Sequence, residues 1–244
     1  MMCYNMLLAG WYRDIVHRYA PKPRRPYEYP INRFYAHKID PILTLLADRA
    51  GISPNVATFL SLLAGITAAC SIWTGYLVAA AFFIQIHHLI DGVDGNLARY
   101  HQRCTEFGKR FDIFTDQVVR LGIFLSLAIV AEVPLWFSCA MLITVYFDIA
   151  VITIFVAPYA RRHTLVRSRW KQWFMDRGLV PGFDIFTIYF IVSICLVFGA
   201  TKTAVISVAI LKTLDWGYRV WECIVTERHR TKMALKSYWF LNVQ

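Results

Sequence analysis

The sequence predicts an all-α fold: an integral membrane bundle of six transmembrane helices preceded by an amphipathic interfacial helix. Three observations carry that expectation. The chain is 57% hydrophobic and only 17% charged, where a soluble domain has about 25% charged residues. Its apolar residues are gathered into runs that approach the roughly 20 residues needed to cross a bilayer. The basic residues behind the net charge of +10 are confined to alternate links between those runs.

Residues 1–32 read as a cytoplasmic N-terminal extension. They are polar and interrupted by Pro21, Pro23, Pro26 and Pro30, and they lack the unbroken apolar core of a secretory signal peptide. Residues 33–50 read as the interfacial helix. Tyr35, Ile39, Ile42, Leu43 and Leu46 fall on one helical face, with Arg33, Lys38, Asp48 and Arg49 elsewhere. Asp40-Pro41 reads as an N-cap followed by a first-turn proline, which divides the segment into two short helices. Gly51 and Ser53-Pro54-Asn55 then break the chain. Residues 51–225 form the six-span unit, with spans near 55–74, 76–98, 109–131, 134–157, 183–200 and 203–225. Residues 226–244 are a basic cytoplasmic tail containing Arg228, Arg230, Lys232 and Lys236.

Charge placement sets the expected orientation. Arg99, Arg103, Lys109 and Arg110 lie between spans two and three. Arg161, Arg162, Arg167, Arg169, Lys171 and Arg177 lie between spans four and five. The remaining links hold only Lys202. This alternation is the positive-inside pattern, and it puts both termini in the cytoplasm. The basic excess is therefore topological, with attraction to anionic lipid as a secondary effect, and nucleic acid is not the expected partner. The six cysteines, Cys3, Cys70, Cys104, Cys139, Cys195 and Cys223, form no C-x2-C pair and read as small buried apolar residues.

Spans two and three share a motif, Asp91-x2-Asp94-Gly95-x2-Ala98-Arg99-x8-Gly108-x3-Asp112-x3-Asp116. Residues three and four apart share a helix face, so Asp91 and Asp94 point one way and Asp112 and Asp116 point one way. Two such helices face to face put four carboxylates in one small volume. Such crowding requires protonation or an intervening cation. Hard divalent ions with oxygen ligands, Mg²⁺ or Mn²⁺, suit it.

This run resembles the signature of the CDP-alcohol phosphotransferases, also called CDP-alcohol phosphatidyltransferases, at every fixed position. The likeness extends to the six-span plan, the amphipathic helix before span one, and Pro54-Asn55 with Thr58. It implies a metal-dependent transferase of phospholipid or related phosphodiester biosynthesis. A phospho-alcohol group passes from a CDP-alcohol donor to a hydroxyl-bearing acceptor, with release of CMP. The resemblance implies two divalent ions held by Asp91, Asp94, Asp112 and Asp116, with Asp116 also the general base. It places the CDP group against Gly95, Arg99 and Thr105. It also implies a homodimer among membrane lipids. Arg99 offers a planar fork to phosphate oxygens. Gly92, Gly95 and Ala98 leave room for a nucleotide to approach the backbone.

Several residues keep two readings. Thr105 holds the donor or only caps the third span. His87 and His88 support the carboxylates or pack the helix end. Arg120 meets a carboxylate or acceptor phosphate, or forms a structural ion pair. Asp148 and Asp215 are functional intramembrane acids or partners in buried bonds. Asp184 stands where phosphate-using relatives tend to carry arginines, and reads also as an N-cap. Two other classes use intramembrane acids. A prenyltransferase would place its acidic motifs on helices far apart in sequence. A cation transporter gives no reason for Gly95, Ala98, Arg99 and Gly108 at fixed spacing.

Overall fold

The computed structural model describes residues 2–20 and 26–241, with side chains from 10–20 and 26–233. The run 21–25, with Pro21, Lys22, Pro23, Arg24 and Arg25, lies outside the described residues, as do the side chains of Cys3 and Lys236. The chain is 82% helical. Among the described residues there is no strand, only an isolated bridge between Glu28 and Leu179.

Helix α1 (Met2–Tyr19) packs on α2 (His37–Arg49) through Ile15, Tyr19 and Leu45. The Tyr19 hydroxyl donates to Asp48 Oδ2 at 2.7 Å. The N-terminal residues are thus partly a docked helix, which their polar composition does not announce. Ahead of α2 the chain makes a π-helical turn, Asn32–Ala36. The expected division at Asp40-Pro41 is absent, because α2 runs through both residues. The Asp40 carboxylate accepts no backbone N–H as a cap would. It sits 3.2 Å from His37 Nδ1 instead. The buried face of α2 is Asp40, Pro41, Thr44 and Leu45, while Leu46 of the expected apolar face is 54% exposed. Burial pushes the Asp40 carboxyl above its ordinary value, against the opposing pull of His37.

Four helices are long and apolar enough to cross a membrane. They are α3 (Pro54–Trp73), α4 (Leu77–Tyr100), α5 (Glu106–Val130) and the continuous rod from Leu135 to Arg162. That rod comprises α6 (Leu135–Val151), a π-helical turn (Ile152–Val156) and α7 (Ala157–Arg162). After the short α8 (Arg169–Met175), α9 (Ile185–Val197) is apolar but has only 13 residues. At 1.5 Å per residue it is about 20 Å long, short of the ~30 Å hydrocarbon layer. Helix α10 (Thr201–Leu241) has 41 residues. Its first half holds the sixth expected stretch, interrupted by Lys212, Asp215 and Arg219.

The core is built from small and branched apolar side chains between α3, α4, α5, α6, α9 and α10, including Ile84, Ile123, Phe124, Met141 and Ile188. Large apolar residues cover the outside. Trp73, Tyr76, Trp136 and Phe198 are exposed together at one end of the bundle, and Trp170 and Trp173 at the other. Aromatic residues at both ends of an apolar rod bundle suit a membrane with two interfaces. Of the described cysteines only Cys223 is buried, and Cys70, Cys104 and Cys139 are exposed, which corrects the expectation of small core residues. Small residues at helix contacts let backbones approach. Gly65 of α3 shows this most sharply, since a Cβ there would lie 2.4 Å from both Val119 methyl carbons. Val119 is buried and β-branched, so it cannot rotate away. Gly65→Ala is expected to destabilise the bundle by about 1–3 kcal/mol. Thermal unfolding in detergent reads the effect, and an unchanged midpoint would show that the α3–α5 contact is looser than described.

Candidate functional site

Helices α4 and α5 run antiparallel, joined by residues 101–105. One carboxylate oxygen from each of Asp91, Asp112 and Asp116 lies within 4.8 Å of the others. Asp94 is buried beside them, and its Oδ2 accepts from the Thr58 hydroxyl at 2.5 Å. Helix α3 therefore supplies one wall of the site. Among the described residues no lysine or arginine forms an ion pair with these four acids. The oxygen-only donor set, tightly gathered and without a protein counter-ion, fits hard divalent cations.

A cavity of about 260 Å³ opens from Asp94 and Asp112 toward the end of α4. Asn55 and Thr58 line it from α3, Gly95, Ala98 and Arg99 from α4, and Thr105 and Gly108 from the next turn. Arg103 and Lys109 add positive charge at its rim. At Gly95 a Cβ would lie 3.2 Å from Arg99 Nη2, so glycine lets the guanidinium fold back along its own helix. Arg99 is held there by donating to Asn96 Oδ1 at 2.8 Å. Thr105 fulfils both of its readings in position: it is the N-cap of α5, accepting from Gly108 N at 3.0 Å, and it lines the cavity. Gly92 behaves differently from Gly95. A Cβ there would lie 3.1 Å from Asp40 Cγ, so its bareness admits α2 and not a ligand in the cavity. A larger groove of about 590 Å³, between Phe155 and Tyr159 on one side and α10 on the other, contains none of the motif residues.

The residues with two readings separate here. His87 Nδ1 lies 2.8 Å from Ser61 Oγ, and His88 stacks on Phe186 with ring centroids 4.3 Å apart. Both tie helices together and neither touches a motif carboxylate. Arg120 donates to Gln117 Oε1 at 3.3 Å and forms no ion pair among the described residues. Asp184 is the N-cap of α9, accepting from Thr187 N at 3.1 Å and from Asn32 Nδ2 at 3.1 Å. Asp148 pairs with Lys212. Asp215 pairs with Arg219 at 3.0 Å and accepts from Phe183 N at 3.2 Å. Sequence reasoning missed the cationic halves of these pairs, Lys212 and Arg219, and also Lys171 with Glu222. It missed Asn96, whose buried position two residues after Asp94 and hold on Arg99 only the folded helix reveals.

Comparison with known proteins adds two findings. A family model described as CDP-alcohol phosphatidyltransferase matches residues 51–225. A bifunctional IPC transferase and DIPP synthase of Thermococcus kodakarensis is 33% identical over 93 residues, which is 37% of this chain and 21% of that protein. The match thus spans about a fifth of the relative's length.

Proposed function

We propose, from the premise that this chain belongs to the CDP-alcohol phosphatidyltransferase family, that it transfers the phosphorus-bearing group of a CDP-alcohol to a hydroxyl acceptor and releases CMP. The observation that carries the reading is the continuity of the cavity at Gly95, Arg99 and Thr105 with the aspartates, through Asp94 and Asp112. Asp91, Asp94, Asp112 and Asp116 would hold two divalent cations, Mg²⁺ or Mn²⁺. Bound there, such ions supply neutralisation of the diphosphate and of the charge that develops on the departing CMP. The chain does the rest. Gly95 and Ala98 give the cytidine diphosphate close access to the helix backbone. Arg99 turns a planar fork to its phosphate oxygens. Asp116 takes the proton of the acceptor hydroxyl. The freed oxygen bonds to the phosphorus that carries the alcohol, the bond from that phosphorus to the CMP oxygen breaks, and CMP leaves with the bonding pair.

Two further elements belong to this reading. The six-span plan is completed by α9 and the first half of α10, whose charges are paired within the bundle and so need not face lipid. The interfacial helix is α2, the active site and both termini face the cytoplasm, and the chain is a homodimer. Orientation is tested by placing single cysteines at 161–171 and labelling intact cells or oriented vesicles. The expected result is protection from an impermeant reagent added outside, and labelling from outside would reverse the topology.

The reaction class is tested by nucleotide-dependent stabilisation of the purified protein in detergent. A ligand that binds only the folded state adds about 2.7 kcal/mol at one hundred times its Kd. CDP with Mg²⁺ or Mn²⁺ is expected to raise the unfolding temperature. Arg99→Ala and Gly95→Leu should each shrink that rise, one by deleting a phosphate contact and one by filling the cavity. A response to a prenyl diphosphate, or to the metal alone with no nucleotide effect, would point to the other two classes and overturn the reading.

A further inference from the structure

The charges of the α6, α9 and α10 side of the bundle form a second level opposite the aspartates. Asp91, Asp116, Asp148 and Asp215 each lie thirteen or fourteen residues from the end of their helix remote from the motif link. At 1.5 Å per residue all four are about 20 Å from that end. An acceptor reaching Asp116 from the side away from the nucleotide cavity therefore meets the α6–α10 wall at that depth.

Every cation in that wall is already committed. Lys212 is 3% exposed. It pairs with Asp148, lies 4.0 Å from Asp215 and donates to the Phe183 carbonyl at 3.0 Å, so its three protons are all directed at protein acceptors. Arg219 Nη2 serves Asp215 at 3.0 Å and the Tyr29 hydroxyl at 2.6 Å. Lys171 is paired with the buried Glu222. Lys171, Lys212 and Arg219 thus balance Asp148, Asp215 and Glu222 one for one. A dianion entering here would have to break a buried pair, which leaves an uncompensated acid behind. The link ahead of α9 offers Asp184, a further acid, bound to Asn32 and Thr187.

Arg120 is the remaining interior cation. Its electrostatic neighbours are Asp116, Tyr146 and Tyr189. Four carboxylates, two dications and the donor diphosphate leave about two negative charges, which Arg99 and Arg120 offset. The loaded site is then neutral before any acceptor arrives. What the acceptor side still offers is hydroxyl groups: those of Tyr146 and Tyr189 make no hydrogen bond among the described residues.

We propose that the acceptor is an uncharged hydroxyl compound, a polyol or a lipid alcohol, and not a phosphorylated alcohol; the inference rests on the transfer reaction above. The test uses the purified full chain with Mg²⁺ or Mn²⁺, reading CMP release from CDP-diacylglycerol, CDP-inositol and CDP-choline. Acceptors are offered as pairs differing by one phosphate, inositol with inositol 1-phosphate and glycerol with glycerol 3-phosphate, together with diacylglycerol. The expected kcat/KM for an unphosphorylated acceptor exceeds that of its phosphorylated partner by about tenfold or more, since an unmatched charge is rejected strongly in a buried site. The polyol and diacylglycerol arms separate a soluble from a membrane source. A phosphorylated acceptor that equals or exceeds its partner overturns the inference. A measurement independent of turnover accompanies it: added to the CDP-loaded protein, glycerol 3-phosphate and inositol 1-phosphate should give no further thermal stabilisation. A saturable rise that Arg120→Gln abolishes overturns the inference even if no acceptor in the set is turned over. Failure of CDP itself to stabilise the protein counts against the transfer reaction and not against the acceptor class. The double variant Asp148→Asn/Lys212→Met, which removes the pair without leaving a lone charge, should keep its preference for the unphosphorylated acceptor. A selective loss of phosphorylated-acceptor turnover would instead assign Lys212 to an acceptor phosphate.

Discussion

Asp116→Asn is expected to lower kcat by about 10²–10⁴-fold, the range over which a positioned general base accelerates proton transfer. Asparagine keeps the size and one carbonyl oxygen but cannot take the acceptor proton. Asp116 sits with Asp91 and Asp112 in a group whose carboxylate oxygens are within 4.8 Å of one another. It lines no part of the nucleotide cavity, whose acidic members are Asp94 and Asp112. The variant should therefore keep most of its CDP-dependent thermal stabilisation while losing turnover. That split between binding and rate distinguishes a base from a purely structural acid. Turnover within a few-fold of the parent, in folded protein, would remove Asp116 from the chemistry.

Asp112→Asn is the second large effect, and its signature differs. This residue belongs both to the acid cluster and to the cavity wall. Loss of one anionic ligand weakens metal retention and the electrostatic stabilisation that depends on it, with an expected fall of about 10²–10³-fold at ordinary Mg²⁺, the scale for losing one group that stabilises developing charge. The nucleotide-dependent stabilisation should fall too, because the diphosphate loses its counter-charge. Raising Mg²⁺ should restore part of both. Asp91→Asn should behave likewise in turnover. A loss that no metal concentration relieves, with nucleotide binding intact, would argue that Asp112 acts otherwise than as a ligand.

The parts of the site that were legible in the sequence are those governed by helix geometry within one or two turns. Asp91 with Asp94, and Asp112 with Asp116, share faces because of their spacing, and one short link forces α4 and α5 to be neighbours. Thr105 could be read as a cap because capping is local. Other features depend on what a distant segment brings. Lys212 is an isolated basic residue in an apolar run until Asp148, on another helix, is placed against it. Gly92 looked like part of a nucleotide cradle, yet the neighbour that needs its bareness is Asp40, far back in the chain. The face of α2 was misread for the same reason. Its apolar periodicity suggested Leu46 inward, but polar partners on α4 select the Asp40 and Thr44 face, with Asn96 Nδ2 3.5 Å from the Thr44 hydroxyl. Helix α1 gives little sequence signal because two residues, Ile15 and Tyr19, do most of its docking.

The attachment of residues 28–33 to the far half of the chain also dictates an order of assembly. Glu28 exchanges backbone hydrogen bonds with Gly178 and Val180, Arg33 donates to the Arg177 and Gly178 carbonyls, and Tyr29 accepts from Arg219, 190 residues further along. At a synthesis rate of about 5–20 residues per second, Tyr29 leaves the ribosome roughly 10–40 s before Arg219 exists. The intervening spans must all be inserted first. The N-terminal segment therefore waits in water with its partners unmade, which its polar composition permits, and its capture closes the fold from the outside once the last helix is in place. A chain arrested within α10 before Arg219 would hold every motif aspartate yet remain open at this seam, and protease cleavage between residues 20 and 36 would report that open state.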